Sequence, residues 1–331
     1  MPTSCSVELH VNKPALIRKM SNVAFLFPGQ GSQYAGMGKL LAEHYPEAKR
    51  VFEEADDTLA FPLSRLCFEG PDEELKKTEN TQPALLAVSV AAYRVLSARG
   101  HQPQRVAGHS LGEYSALVAA GSLEFKDAIR LVRKRGQYMQ EAVPQGVGAM
   151  AALLKLPEGR LEQVLTEAAQ GEVVSAANLN SPDQVVIAGH AAAVERAMEL
   201  AKAAGAKRAV RLQVSAPFHC SLMRPAQERL ARDLEETRFT APNVPLINNW
   251  QATEVTTAEE ARRGLYEQIP NPVRWTESIR TLARSGLKGY VEVGAGSVLM
   301  GLVRSIEPAL EGAKFGEPAD MDKVEGLFSK Q

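Results

Sequence analysis

Gly108-His109-Ser110-Leu111-Gly112 carries the sharpest chemical signal in the chain, a G-x-S-x-G pentad between a predicted strand, Arg105–Gly108, and a predicted helix. The two glycines permit a tight strand-to-helix turn. Such a turn exposes the Ser110 hydroxyl at the strand end. It also directs the N–H of Leu111, at the helix start, toward an oxyanion developing on an attacked carbonyl. Ser110 is therefore the candidate nucleophile, although glycine–serine turns also connect strands to helices with no chemistry attached.

A serine nucleophile needs a base. Of the six histidines, His10 lies near the N-terminus, and His44, His101 and His190 fall in helices or loops without a supporting motif and read as solvated surface groups. His109 flanks the nucleophile and is expected to project from the opposite side of the elbow, in a structural role. His219 remains, in Ser215-Ala216-Pro217-Phe218-His219-Cys220, a strand-to-helix junction; read alone, it has an equally ordinary structural account. Asp127 and Asp183 lie between Ser110 and His219, but neither follows a strand of the large domain as the acid of a hydrolase triad does. A Ser–His dyad, with the histidine oriented by a backbone group, is the expectation. At Phe27-Pro28-Gly29-Gln30-Gly31-Ser32-Gln33 a glycine-rich loop leaves the first strand at the same sheet end as Ser110. It lacks the lysine of a P-loop and the full dinucleotide fingerprint, so Gln30 reads as an oxyanion-hole donor rather than part of a nucleotide site.

The elements that must position these residues alternate. Strand Val23–Phe27 precedes helical patterns over Gly38–Leu59 and Pro83–Arg99, strand Arg105–Gly108, and a helix over Glu124–Ala142 that closes at Pro144-Gln145-Gly146. Next come strand Ala149–Leu156, helix Pro157–Ala169, strands Val173–Asn178 and Gln184–Ala188, helix Ala191–Ala204 and strand Arg208–Val214, a βαββαβ order. Alternation resumes with helix Leu222–Thr237, strand Val244–Asn248, helices Ala258–Gln268 and Trp275–Ser285, and strand Gly289–Val293. The predicted fold class is α/β: an α/β-hydrolase-like large domain on a parallel sheet, residues 20–145 and 215–331, with an inserted ferredoxin-like small subdomain, residues 146–214. Residues 1–19 read as a disordered N-terminal extension.

Composition narrows the function classes. With 45% hydrophobic and 23% charged residues, the 331-residue chain has a globular balance, and its net charge of −1 offers no global field for nucleic acid or an anionic membrane. No signal peptide or membrane span is evident. Cys5, Cys67 and Cys220 lack metal-site or disulfide spacing, so no metal is expected and a reducing cytoplasm is the expected location.

Several motifs stand in one order: Phe27–Gln33, Thr81-Gln82-Pro83-Ala84-Leu85-Leu86, Gly108–Leu117, Asn178-Leu179-Asn180-Ser181-Pro182, His219, Asn271-Pro272-Val273-Arg274-Trp275 and Glu292-Val293-Gly294. Together they resemble the malonyl-CoA:acyl carrier protein transacylase family over about residues 22–305. The resemblance implies a malonyl-serine intermediate on Ser110 with His219 as base. It further implies that Arg135 grips a substrate carboxylate; Arg130, Arg133 and Lys134 read instead as a solvated basic helix end stabilised by the helix dipole. The resemblance also implies that Gln30 and the Leu111 N–H form the oxyanion hole, that the Gln268 carbonyl orients His219, and that Asn178 lies near the cleft. Phe218 resembles the pattern of malonyl-selective acyltransferases. No bound cofactor is implied; malonyl-CoA and acyl carrier protein are the expected partners of a monomer, with Lys202, Lys207, Arg208 and Arg211 as candidate docking cations. The alternatives are an acyltransferase loading a polyketide synthase, a serine hydrolase, and a catalytically dead carrier-binding module.

Overall fold

A computed structural model describes residues 22–330 except Ser215, so the predicted extension over residues 1–19 lies outside the described residues. The first sheet contains β1 (Val23–Phe27), β2 (Arg105–Gly108), β7 (Leu246–Ile247), β8 (Glu254–Val255), β9 (Gly289–Val293) and β10 (Glu311–Phe315), in the order β10-β9-β1-β2-β7-β8. All its pairings are parallel except β7 with β8. β1 and β9 are buried at every position, which is why they read as continuous apolar runs rather than alternating ones.

The second sheet contains β3 (Gly148–Leu154), β4 (Val174–Ser181), β5 (Gln184–His190) and β6 (Arg208–Arg211), antiparallel in the order β4-β5-β3-β6. Alternation along β3 explains how it joins the rest. Ala149, Ala151 and Leu153 pack with the sheet's own helices, Leu161–Ala169 and Ala191–Ala203, while Met150 and Ala152 face the opposite way into the main core. A backbone bridge between Asn178 and Val273 ties β4 to the segment before helix Trp275–Arg284.

Two helices depart from the expected bounds for backbone reasons. The pattern over Gly38–Leu59 splits into Lys39–His44 and Pro46–Leu59, because Pro46 suits a first helical position and cannot continue a helix. The helix expected from Pro83 begins at Thr78 and runs to Ala98, with Pro83 inside it. Proline removes the N–H that would meet the Glu79 carbonyl, and Arg133 supplies the substitute, donating to Glu79 O at 3.1 Å and to the Asn80 side chain. Arg133 is thus not the solvated helix-end group expected of it; it links helix Phe125–Glu141 to helix Thr78–Ala98. β4 also extends beyond its predicted end, so Asn178 is mid-strand at a bulge rather than at a strand terminus.

The elbow after β2 demands its glycines through close approach. A Cβ on Gly112 would lie 2.1 Å from the Phe27 carbonyl oxygen, and one on Gly108 would lie 1.9 Å from Gly112. Gly112→Ala is therefore expected to shift the elbow against β1 and destabilise the fold by ~1–3 kcal/mol, the range for overpacking. Urea unfolding of wild type and variant measures this; an unchanged midpoint would show that the contact yields freely.

Candidate active site

Ser110 sits between β2 and helix Gly112–Ala119, and its φ of +51° lies in the left-handed region. His219 shares the feature, with φ +59°, at the junction before the short helical turn Ser221–Met223. Such strain in a non-glycine residue costs roughly 1–2 kcal/mol and persists only where surrounding structure enforces it. Here it brings two side chains together: Ser110 Oγ lies 2.7 Å from His219 Nε2. The other ring nitrogen, Nδ1, is 2.9 Å from the Gln268 carbonyl oxygen. A carbonyl only accepts, so Nδ1 carries the proton, Nε2 presents its lone pair, and Ser110 donates to it.

Arg135 projects from helix Phe125–Glu141 into the same place and is only 1% exposed. Its Nη2 donates to Ser110 Oγ at 3.1 Å and to Gln268 Oε1 at 2.8 Å, and its Nη1 donates to Gln82 Oε1 at 2.8 Å. Arg135 Nε finds no partner among the described residues. A buried cation with spare donor capacity is a receptor for an anion.

Ser110, His219, Arg135 and Gln82 line a cavity of about 110 Å³ that also touches Gln30, Leu111, Asn178 and Phe218. Met139, Met150, Leu212 and Val214 supply its apolar wall. The volume is below the ~150 Å³ of a cavity that takes up benzene, so a short acyl group suits it. Gln30 Nε2 donates to Thr78 Oγ1 at 3.3 Å, and the Leu111 N–H meets no acceptor among the described residues. Among those residues no cluster of three or more His, Cys, Asp or Glu side chains could hold a metal, and no helix is long and apolar enough to cross a membrane.

An acyl transferase domain model matches residues 24–316. The malonyl CoA-acyl carrier protein transacylase of Escherichia coli strain K12 is 50% identical over 303 residues, 91% of this chain and 98% of that protein. The chain belongs to the malonyl-CoA:acyl carrier protein transacylase family. A solved acyl carrier protein S-malonyltransferase from Vibrio cholerae is 50% identical, with a TM-score of 0.90 over 92% of this chain and all of that one. A malonyl-transacylase solved in complex with a type II polyketide synthase acyl-carrier protein is 47% identical, with a TM-score of 0.90 over 94% of this chain and 100% of that one.

Within this transacylase, every expected site residue reaches the cavity or its immediate support, but several surroundings differ from expectation. His109 is not on the far side of the elbow: it lines the cavity, with Nε2 2.8 Å from Asn180 Oδ1 and its ring edge-on to Trp275. Asp127 instead sits 3.9 Å from Arg130, and Asp183 occupies the turn between β4 and β5. His190 accepts from the Val173 N–H and His101 packs on Phe328, so His44 alone of that trio is exposed. Of the docking candidates, Lys202 and Arg211 are paired with Glu199 and Glu195. Lys207 and Arg208 line a groove of about 560 Å³ with Val298 and Leu302.

Four groups escaped sequence reasoning: Gln82, the Gln268 side chain, Asn249 and Glu113. Gln82 and Glu113 stand inside quoted motifs, but nothing in a motif says which glutamine or glutamate turns inward. Glu113 is 1% exposed, and burial pushes its carboxyl up to about 7. Both its hydrogen bonds fall on Oε2, which remains an acceptor when a proton rests on Oε1.

Burial, and then the Arg135 charge, push His219 down from 6.5 to about 3. A lowered value keeps the imidazole neutral, and so competent as a base, at more acidic pH than an ordinary histidine. The rate of Ser110 modification by a fluorophosphonate is therefore expected to stay near its neutral value from about pH 8 to about pH 5, with the acid limb lower still. A limb centred near the ordinary histidine value would refute this.

Proposed function

We propose that this chain transfers the malonyl group of malonyl-CoA to the phosphopantetheine thiol of acyl carrier protein, through malonyl-Ser110, in fatty acid biosynthesis in the cytoplasm. The observation that carries this reading is the convergence on one hydroxyl, Ser110 Oγ, of a base at 2.7 Å and a buried guanidinium at 3.1 Å. The names of the relatives, malonyl CoA-acyl carrier protein transacylase and acyl carrier protein S-malonyltransferase, support the choice of substrates. Residues 20–145 and 215–331 form the large domain in this reading and residues 146–214 the insertion. Lys207 and Arg208 are the docking cations carried forward.

The geometry supports the following cycle. Arg135 docks the free carboxylate of the malonyl group. The Ser110 proton passes to His219 Nε2 as Oγ bonds to the thioester carbonyl, and the oxyanion is met by the Leu111 N–H and Gln30. As the C–S bond breaks, His219 returns its proton to the departing CoA sulfur. The carrier thiol then loses its proton to His219, attacks malonyl-Ser110, and the proton ends on Ser110 Oγ. The Gln268 carbonyl, 2.9 Å from Nδ1, stabilises the imidazolium of each half-reaction. One solved relative holds a type II polyketide synthase acyl-carrier protein, so loading of a polyketide synthase is the alternative. Transfer rates to fatty acid and polyketide carriers separate the two.

Incubation with malonyl-CoA followed by intact-mass measurement should show one malonyl adduct that Ser110→Ala abolishes. His219→Ala should slow adduct formation by ~10²–10⁴-fold, as loss of general acid–base catalysis does. An adduct that persists in Ser110→Ala would remove the assignment.

Substrate choice follows from Arg135 and Phe218. Acetyl leaves the guanidinium without an anion, a penalty of ~1–3 kcal/mol or more for an unpaired buried group. Phe218, 7% exposed, both packs in the core and lines the cavity, and in this reading its ring would fill the space that an α-methyl needs. Steric rejection of one methyl amounts to ~1–3 kcal/mol. In competition assays malonyl-CoA should therefore exceed methylmalonyl-CoA and acetyl-CoA. Arg135→Ala should relatively favour acetyl, and Phe218→Ser should narrow the malonyl-to-methylmalonyl ratio. Equal use of the three thioesters by wild type would contradict this.

A further inference from the structure

Beneath Ser110 lies a buried polar group of three side chains, none of which lines the cavity: Asn249, Glu113 and the amide end of Gln268. Asn249 follows β7 and is fully buried. Its Oδ1 accepts the Ser110 N–H at 2.6 Å, and its Nδ2 donates to the Gly108 carbonyl at 2.7 Å. One side-chain amide thus spans the peptide groups on both sides of the His109–Ser110 turn. β2 and β7 pair through Val106–Leu246 and Ala107–Ile247, and the Asn249 amide continues that ladder where β2 leaves the sheet.

The other backbone group of Ser110, its carbonyl, accepts from Gln268 Nε2 at 3.0 Å. Glu113 Oε2 then joins the two holders, accepting from the Asn249 N–H at 2.9 Å and from Gln268 Nε2 at 2.8 Å. Chemistry determines each amide's orientation. Asn249 must turn oxygen to an N–H and nitrogen to a carbonyl, while Gln268 must turn oxygen to the donor-only Arg135 and nitrogen to Glu113 and Ser110.

We propose that Asn249 and Glu113 are positioning residues for the nucleophile: Asn249 holds the backbone of Ser110 in its left-handed conformation, and Glu113 holds Asn249 and Gln268 in register, so that Oγ stands between His219 and Arg135. They touch no substrate atom. This proposal rests on the reading of Ser110 as the acylated residue. It also means that the Ser110 N–H is occupied, leaving the oxyanion to Leu111 and Gln30. A merely structural role for the pair would alter stability but not the rate of acylation in variants that remain folded.

The test is single-turnover acylation by malonyl-CoA, quenched and read as adduct mass, with near-UV circular dichroism on each variant. Asn249→Ala and Glu113→Ala should slow acylation at saturating malonyl-CoA by ~10–100-fold, the effect of misplacing a reacting atom by up to about 1 Å. The half-saturating concentration should change little, because Arg135 and the cavity wall remain. Glu113→Gln is the arm that survives if the alanine variants do not fold. Its amide oxygen can occupy the Oε2 place and accept both bonds, so it should acylate within about 3-fold of wild type. The proposal is overturned if folded Asn249→Ala acylates at the wild-type rate, if the loss appears in half-saturation instead, or if Glu113→Gln is as slow as Glu113→Ala. Absence of a Ser110 adduct in wild type would be a different failure, removing the functional reading itself.

Discussion

Everything at this site depends on a cation buried where a cation should not be. Arg135 is 1% exposed, and burial lowers its hold on the proton. Taking a guanidinium out of water costs several kcal/mol unless donors are satisfied and charge is compensated. Here the compensation is dipolar and partial: two glutamine oxygens and one serine hydroxyl accept from it, and the Tyr114 ring lies 5.5 Å from its central carbon. The nearby carboxyl, Glu113, is separated from it by the Gln268 amide rather than paired with it. A charge held this way has a large unmet demand for an anion, which supports the proposed recognition of a substrate carboxylate by this residue.

The same burial shapes the base. His219 is 3% exposed and shares its surroundings with Arg135, so both the missing water and the neighbouring positive charge oppose the imidazolium. With a carbonyl on Nδ1 in place of a carboxylate, little in the free protein favours the charged ring. In the proposed reading, a malonyl carboxylate docked on Arg135 would offset that charge and make the imidazolium less costly. The base and the buried cation thus share one electrostatic environment.

Two residues with φ near +55°, Ser110 at +51° and His219 at +59°, face each other across the cavity. Ser110 ends β2's run abruptly and His219 turns the chain just before a short helical turn, so the two side chains, 109 positions apart, meet at hydrogen-bond distance. The strain is sustained by groups from two further segments, Asn249 after β7 and Gln268 at the end of helix Ala258–Gln268. The second sheet closes the cavity from above with Met150 and Asn178, so neither sheet builds the site alone.

From the sequence by itself came the glycine-flanked elbow at Ser110, the alternation of elements, the βαββαβ order and, through ordered motifs, Arg135 and His219 as its companions. These are legible because glycine spacing and apolar periodicity are local consequences of backbone geometry. Helix starts were less so: the Thr78 start depends on Arg133, 54 positions away, capping the carbonyl that Pro83 leaves free. Only the tertiary structure decided which polar residues turn inward. Gln82, Glu113, Asn249 and the Gln268 amide are ordinary helix and loop residues in sequence. They become a network because separate segments converge beneath one serine, and a buried hydrogen bond belongs to the pair that makes it rather than to either residue's place in the chain.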